Sequence, residues 1–327
     1  MADAAKTNAL AQTRRGQKLK PLKYEENSYN TLKIPRQYPL ERLQCRFSCS
    51  YTASGGPTVR KFGLSNIVDR VDIKRNGNDT IASIPGHMLR LISQMQTNVK
   101  PNEKKPGTSN AAHTAFFAFR LPFNILSYLS LLDPTKDHDL DLTVHFNDPS
   151  AVFEGGSITN FVGQMDAETV AIAGGIPGMA GGAGKKYAVR YLVGRNVPIE
   201  MTQTDMQIPL SKARIYNRII LKAMDKFGNP SEDIFKGLRV VMGQTTFRLT
   251  ADFTLRDELI ERYNLDPDEC EGLYVYDFTT APERIHEALS NNDATMIFNM
   301  EWDVERHNEG DKIVMLEDLL MEKQRVA

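Results

Sequence analysis

The stretch Val68–Gln96, VDRVDIKRNGNDTIASIPGHMLRLISQMQ, contains two patterns that together indicate the fold. Apolar and polar residues alternate on both sides of Asn76-Gly77, a dipeptide that favours a tight turn between antiparallel strands. From Gly86 onward the apolar residues recur at helical spacing. The stretch therefore predicts a β-hairpin that is followed directly by an amphipathic helix.

The same order of elements recurs later in the chain. Residues 237–253 read as strand, glycine turn at Gly243 and strand, and 254–265 reads as a helix with Thr254 as its N-cap. Alternating strands flank both hairpin–helix units, and they are predicted at 43–51, 115–123, 140–146, from 206 onward, 272–278 and 295–304. The chain therefore contains two copies of one unit of strand, hairpin, helix, strand and strand.

Two such copies predict an all-β, mainly antiparallel protein with two similar domains side by side. Many short strands bounded by Gly and Pro turns are typical of sandwiches and barrels, and a helix after a hairpin suits a jelly roll. We expect a first jelly roll at 36–205 and a second at 206–305. Residues 155–205 have no evident counterpart in the second copy, and 312–326 predicts a short amphipathic helix within a C-terminal tail at 306–327.

A basic arm precedes the first copy. Residues 1–35 are assigned to this arm, and its first 24 residues carry six Lys and Arg side chains against one acid, Asp3. Such a segment is disordered or extended when it is alone. It usually contacts an anionic partner, which can be lipid headgroups, nucleic acid or an acidic protein. The alternative is a solvated tail without a role. Its candidate contact residues are Lys6, Arg14, Arg15, Lys18 and Lys20.

The glycine-rich stretch 173–186, AGGIPGMAGGAGKK, raises the question of a phosphate-binding loop. That motif requires glycine where this chain has Met179 and a hydroxyl residue where it has Lys186, so the motif fails. A flexible loop within the first jelly roll is the better interpretation. Its candidate flexible positions are Gly174, Gly175, Gly178, Gly181, Gly182 and Gly184.

Composition excludes several classes of protein. The 327 residues are 41% hydrophobic and 25% charged, as expected of a soluble globular protein with two cores. The net charge is −1, so the protein as a whole should not attract nucleic acid or an anionic membrane electrostatically. No apolar run is long enough for a transmembrane helix, and the N-terminus lacks the apolar core of a signal peptide. The three cysteines suggest reduced, buried thiols. The aromatic residues lie in apolar strands, so the folded part should not recognise nucleic acid.

No catalytic constellation is evident in the sequence. The six histidines form no H-x-H or H-E-x-x-H pair, and no serine lies in G-x-S-x-G. The segment around Asp137, Asp139 and Asp141 could bind Ca²⁺ weakly, but a solvated acidic turn is the better interpretation. We therefore expect a protein that is not an enzyme and that has no cofactor.

These features together resemble one family. The stretch Val68–Gln96 looks like the coat domain of corticovirus-like phages, and the architecture of about residues 36–305 resembles the double jelly-roll major capsid proteins of tailless icosahedral viruses with an internal membrane. The resemblance implies homotrimers that form pseudo-hexagonal tiles around the membrane, with neighbouring trimers, viral lipid and minor or vertex proteins as partners. It also implies a virion protein that is assembled in the host cytoplasm.

Two other classes of function remain open. A virion spike or a carbohydrate- or receptor-binding β protein would need an exposed aromatic platform, and the single tryptophan, Trp302, lies in a predicted strand. A two-domain β enzyme of cupin type would need clustered histidine ligands, which the sequence lacks.

Overall fold

The computed structural model divides into two compact units: the first runs up to Arg190 and includes the chain from Lys323 onward, and the second is Tyr191–Glu322. The structure describes residues 14–123, 131–135, 137–172, 186–211, 214–242, 245–278, 289–290 and 298–324. Within these residues the chain is dominated by antiparallel strands. The all-β prediction is therefore confirmed.

Within its described residues, the first unit contains twelve complete strands, one α-helix and two 3-10 helices, Gly63–Ile67 and Pro149–Ala151. In chain order the strands and the helix are β1 (Arg14–Lys18), β2 (Leu22–Lys23), β3 (Tyr29–Lys33), β4 (Leu40–Ser54), β5 (Thr58–Val59), β6 (Val68–Arg75), β7 (Asp79–Pro85), α1 (Gly86–Thr97), β8 (Glu103–Lys104), β9 (Ala111–Pro122), β10 (Leu140–Phe146), β11 (Phe153–Glu154) and β12 (Ser157–Ile172).

Two antiparallel sheets of this unit pack face to face. One sheet has the order β1-β12-β4-β9-β8, with β2 also paired to β12, and the other contains β7-β6-β10-β3. Every second residue of β4 is buried, as alternation requires of a strand with one face on the core. The Phe47 ring of β4 lies 6.0 Å from Phe117 in its own sheet and 5.9 Å from Phe146 in the other, measured between centroids. These aromatic contacts join the two sheets into a sandwich.

The hairpin and helix that opened the sequence analysis are confirmed. Strands β6 and β7 are joined by residues 76–78, where Asn76 and Gly77 have φ of 53° and 77°. Helix α1 begins at Gly86, and a Cβ there would lie 1.7 Å from the carbonyl oxygen of Val68. Only glycine allows this close approach, and it places the apolar side of α1 against the unit.

The second unit repeats this arrangement. It begins within strand β13 and contains β13 (Lys186–Pro198), β14 (Gln203–Pro209), β15 (Ile215–Met224), β16 (Phe235–Met242), β17 (Thr245–Ala251), α2 (Asp252–Tyr263), the 3-10 helix Pro267–Glu269, β18 (Leu273–Asp277), β19 (Leu289–Ser290), β20 (Phe298–Val304) and β21 (Lys312–Gln324). One sheet contains β18-β15-β21-β13, and the other has the order β14-β20-β16-β17. Trp302 and Phe235 are fully buried in its core, 6.3 Å apart edge to face.

Corresponding strands pair in the same way in both units. Strand β4 lies between β12 and β9, as β15 lies between β21 and β18. Strand β10 lies between β3 and β6, as β20 lies between β14 and β16. Strand β1 pairs with β12, as β13 pairs with β21. The repeat therefore extends further than the sequence indicated.

Three sequence predictions are corrected here. The segment 312–326, predicted as a helix, forms strand β21, and it is the counterpart of β12 that the second copy seemed to lack. Residues Ile313–Leu320 are all buried, so this central strand shows no alternation and its apolar run also fits helical spacing. The second compact unit begins at Tyr191, within β13, rather than at 206. Helix α2 begins at Asp252, so Thr254 is not its N-cap.

Candidate functional site

The second half of the predicted basic arm belongs to a sheet. Arg14–Lys18 form β1, which pairs antiparallel with residues 168–172 of β12 in the same chain. The side chains of Leu19 and Leu22, just after β1, are buried and anchor the segment. The sequence missed this strand because RRGQK contains no large apolar residue that could alternate with polar ones, and all five positions of β1 are exposed. In the described part of this sheet, β1 is the outermost strand.

The cations of this edge have different surroundings. Arg14 Nε lies 2.9 Å from Glu41 Oε2, and the Arg15 guanidinium carbon lies 5.8 Å from the centre of the Tyr38 ring. Lys18 stands opposite Glu168 in the register, and Lys20 is exposed. Neither Lys18 nor Lys20 forms an ion pair with a described residue.

The edge strand is thus charged and exposed along its length. Such charge on an outer strand opposes unwanted pairing with other chains and leaves positive groups for an anionic surface. Lys6 lies outside the described residues.

The glycine-rich stretch cannot be placed in the same way. Positions Gly174, Gly175, Gly178, Gly181, Gly182 and Gly184 lie outside the described residues, so their predicted flexibility stays a prediction. The described chain ends at Ile172 of β12 on one side and resumes at Lys186 of β13 on the other. The stretch therefore lies between β12 and β13, and its assignment to the first jelly roll stays a prediction.

The acidic segment is held by hydrogen bonds and basic neighbours. Asp137 Oδ1 accepts a hydrogen bond from Asn76 Nδ2 at 3.1 Å and lies 3.8 Å from Arg75 Nε. Asp141 lies opposite lysines on both adjacent strands. Among the described residues, no group of three or more His, Cys, Asp or Glu side chains is placed to hold a metal ion. Asp137, Asp139 and Asp141 do not converge on one point.

The cysteines are buried thiols. All three are free, and burial raises the pKa of Cys45 and Cys49 to about 12 and that of Cys270 to about 11. A thiol in this state is a poor nucleophile, because the reactive form is the thiolate. No helix within the described ranges is long and apolar enough to cross a membrane.

A buried polar network in the second unit had no signal in the sequence. Arg218 of β15 contacts Asp318 of β21 at 2.8 Å, and the two side chains are 4% and 1% exposed. The other end of the guanidinium donates to the Tyr263 hydroxyl at 2.9 Å, and that hydroxyl lies 2.9 Å from a carboxylate oxygen of Asp277. Burial raises the pKa of Asp277, while Arg218 and Arg262 oppose the shift. The network joins β15, β21, β18 and α2.

The chain is similar to solved structures over nearly its whole length. A chain of the atomic structure of Sulfolobus Turreted Icosahedral Virus is similar with a TM-score of 0.75 and 14% identity, covering 94% of this chain and 91% of that one. The match covers nearly the whole chain and therefore both of the sandwiches described above. The fold is a double jelly roll.

Two further double jelly rolls show the same likeness. The major capsid protein P2 of bacteriophage PM2 is similar with a TM-score of 0.56 and 11% identity, covering 96% of this chain and 98% of that one. A chain of the PBCV-1 virus capsid is similar with a TM-score of 0.63 and 10% identity, covering 96% and 97%. No protein-family model matches the sequence, and no curated protein matches it. The fold suspected from the sequence is therefore confirmed by structure alone.

Proposed function

We propose that this protein is a major capsid protein that forms homotrimers, and that these trimers tile an icosahedral shell around an internal membrane. The observation that carries the proposal is the duplicated jelly roll over nearly the full length of the chain, shared with capsid chains of three viruses. Two similar domains in one chain give a trimer six similar sandwiches. Six sandwiches around a three-fold axis make a nearly hexagonal tile.

The role is structural rather than catalytic. A tile needs rigid domains and self-complementary edges, and the cores of both units supply the rigidity through buried aromatic rings. The candidate cupin function would need a cluster of metal ligands, and the described residues bring no such cluster together. The proposed protein is a component of the virion that is assembled in the host cytoplasm.

The trimer is tested by measuring mass in solution. Light scattering on the purified chain should give three times 36.8 kDa at micromolar concentration. Negative-stain electron microscopy of the same sample should show particles with six-fold-like outlines. A monomer in both measurements would overturn the proposal.

The basic edge is proposed as the contact with anionic lipid or with a neighbouring trimer or minor capsid protein. Lys18 and Lys20 are exposed next to each other on the edge of the sheet, and each is worth on the order of 1 kcal/mol near an anionic surface. Arg14 and Arg15 are partly engaged within the chain, so we expect them to contribute less.

A sharp test separates this contact from folding. Removal of residues 2–13 keeps β1 and its anchors, and Lys18→Gln with Lys20→Gln removes only charge. Flotation of trimers with vesicles of phosphatidylglycerol should fall for the charge variant, while Lys33→Gln with Lys74→Gln serves as a control of equal charge. Equal flotation of the two variants would exclude lipid contact at this edge, and the trimer mass would stay as an independent test of the capsid proposal.

A further inference from the structure

A cleft of about 430 Å³, lined by both polar and apolar groups, lies in the first jelly roll, where β4, β8, β9 and β12 meet. Its volume is within the roughly 300–1,000 Å³ that is usual for small-ligand sites. The residues that matter for its chemistry are cationic, hydroxyl and amide side chains: Ser50, Lys104, Lys105, His113, Thr114 and Asn160. All of these except the half-buried His113 are exposed, so a ligand can reach them.

One wall of the cleft is fixed by strand pairing. Ser50 and Thr114 stand directly opposite each other on β4 and β9, so their side chains share one face of the sheet. Strand β8 pairs with β9, and Lys104 Nζ donates to Thr114 Oγ1 at 2.7 Å. Asn160 lies at a register shift of β12 with φ of 53°, and bulges of this kind redirect side chains.

A second group of lining residues is also held in place. The Tyr51 hydroxyl donates to the Gly107 carbonyl at 2.9 Å, which fixes the turn after β8. His113 Nε2 lies 2.8 Å from the Ser109 carbonyl, so this nitrogen carries the proton and donates. A Cβ at Gly107 would lie 2.3 Å from His113 Nδ1, so the histidine ring packs where only glycine fits. The cleft is therefore formed before any ligand arrives.

The charge of the cleft is positive. No Asp or Glu lines it, and within the described ranges neither Lys104 nor Lys105 has a carboxylate at ion-pair distance. The nearby Glu103 is engaged elsewhere, with its carboxylate 2.9 Å from Arg90. Two ammonium groups without an acidic partner select an anionic group, and hydroxyl and amide side chains around them suit a ligand rich in hydroxyl groups.

We propose that this cleft binds an anionic saccharide. Lys104 and Lys105 hold its carboxylate, sulfate or phosphate, and Ser50, Thr114 and Asn160 hydrogen-bond its hydroxyl groups. This inference does not depend on the capsid proposal, because it rests only on the cleft of one chain.

Calorimetric titration of the full chain tests the ligand class with matched sugars. Glucuronic acid, glucose 6-sulfate and glucose 6-phosphate should bind, and glucose should bind at least about tenfold more weakly, because one charge-assisted hydrogen bond contributes about that factor. Inorganic sulfate and phosphate should bind more weakly than the charged sugars. Equal affinity for glucose and glucuronic acid would overturn the claim that the ligand must carry a negative charge. Inorganic anions that bind as tightly as the charged sugars would overturn the claim that the ligand is a saccharide.

Variants place the binding in the cleft. Lys104→Ala with Lys105→Ala should weaken the charged sugars by tenfold or more, and Thr114→Val should weaken them less. Lys23→Ala with Lys33→Ala removes the same charge from exposed positions outside the cleft and should leave affinity unchanged. Circular dichroism confirms that each variant is folded. An equal loss in the two double variants, or no loss in either, would refute the site.

Discussion

Replacement of Asp318 by alanine should strongly destabilise the second jelly roll. The Arg218 guanidinium would keep its charge in a site where only 4% of its side chain is exposed, and it would lose its partner at 2.8 Å. The Asn217 amide would also lose its hydrogen bond to Asp318 at 3.0 Å. Removal of one partner of a buried ion pair typically costs about 3–5 kcal/mol. Asp277 stays within the network, so we expect the lower end, about 3 kcal/mol.

The protein contains its own probe for this measurement. Trp302 is the only tryptophan, and it is fully buried in the same unit as Asp318. Urea unfolding followed by its fluorescence therefore reports on the second jelly roll. The midpoint should fall while the slope stays unchanged, since the surface exposed on unfolding is the same.

Two further variants make the reasoning refutable. Arg239 forms ion pairs with Glu301 and Asp303 at a partly exposed site, and Arg239→Ala should cost less than about 1 kcal/mol. Arg218→Met with Asp318→Leu removes both charges and should restore most of the stability lost in the single variant. If Asp318→Ala and Arg239→Ala had the same effect, burial would not determine the strength of the Arg218 network.

Three other perturbations follow from the structure. Burial raises the pKa of Glu317. The stability that its protonated side chain contributes is therefore fully present below the pKa of an unfolded glutamate and is lost as pH rises through the pKa in the folded protein. Over this range, urea unfolding should show the wild type losing stability relative to Glu317→Gln. Gly86→Ala should destabilise the first jelly roll by about 3 kcal/mol in thermal unfolding, because its Cβ meets the Val68 carbonyl, whereas Gly77→Asn, at a position with open space, should cost less than about 1 kcal/mol. At pH 8, Cys45 and Cys49 should react with a thiol reagent about a thousandfold more slowly than in denaturant, and Cys270 about a hundredfold more slowly; fast labelling of the folded protein would contradict their burial.

Local sequence patterns predicted the elements that bury one face and expose the other. Helix α1 and strand β4 repeat or alternate cleanly, because each has one face on the core and one toward solvent. The hairpin β6–β7 was predicted from its Asn76-Gly77 turn, although the successive residues 71–73 of β6 are all buried. Both hairpin–helix units were found, and their order gave the duplicated fold. The same periodicity failed for β21, whose residues are buried on both faces, and for β1, whose residues are all exposed.

The candidate sites were harder to predict for a different reason. The positive charge of the arm is visible in the sequence, but its attachment to β12 depends on residues 150 or more positions away. The cleft joins residues from 50 to 160, and no local motif connects Lys104 with Asn160. Contacts of this kind arise only when strands that are distant in the chain pair.

The sequence by itself determined the fold class, the two hairpin–helix units, the reduced cysteines and the basic character of the N-terminal segment. These properties follow from short-range periodicity, turn chemistry and charge. The tertiary structure alone decided that Arg14–Lys18 complete a sheet, that β21 is a central strand, that Arg218 meets Asp318, and that two lysines face a cleft without an acid. The physical reason is that strand pairing joins residues across the whole chain, and burial and charge balance are set by those long-range neighbours.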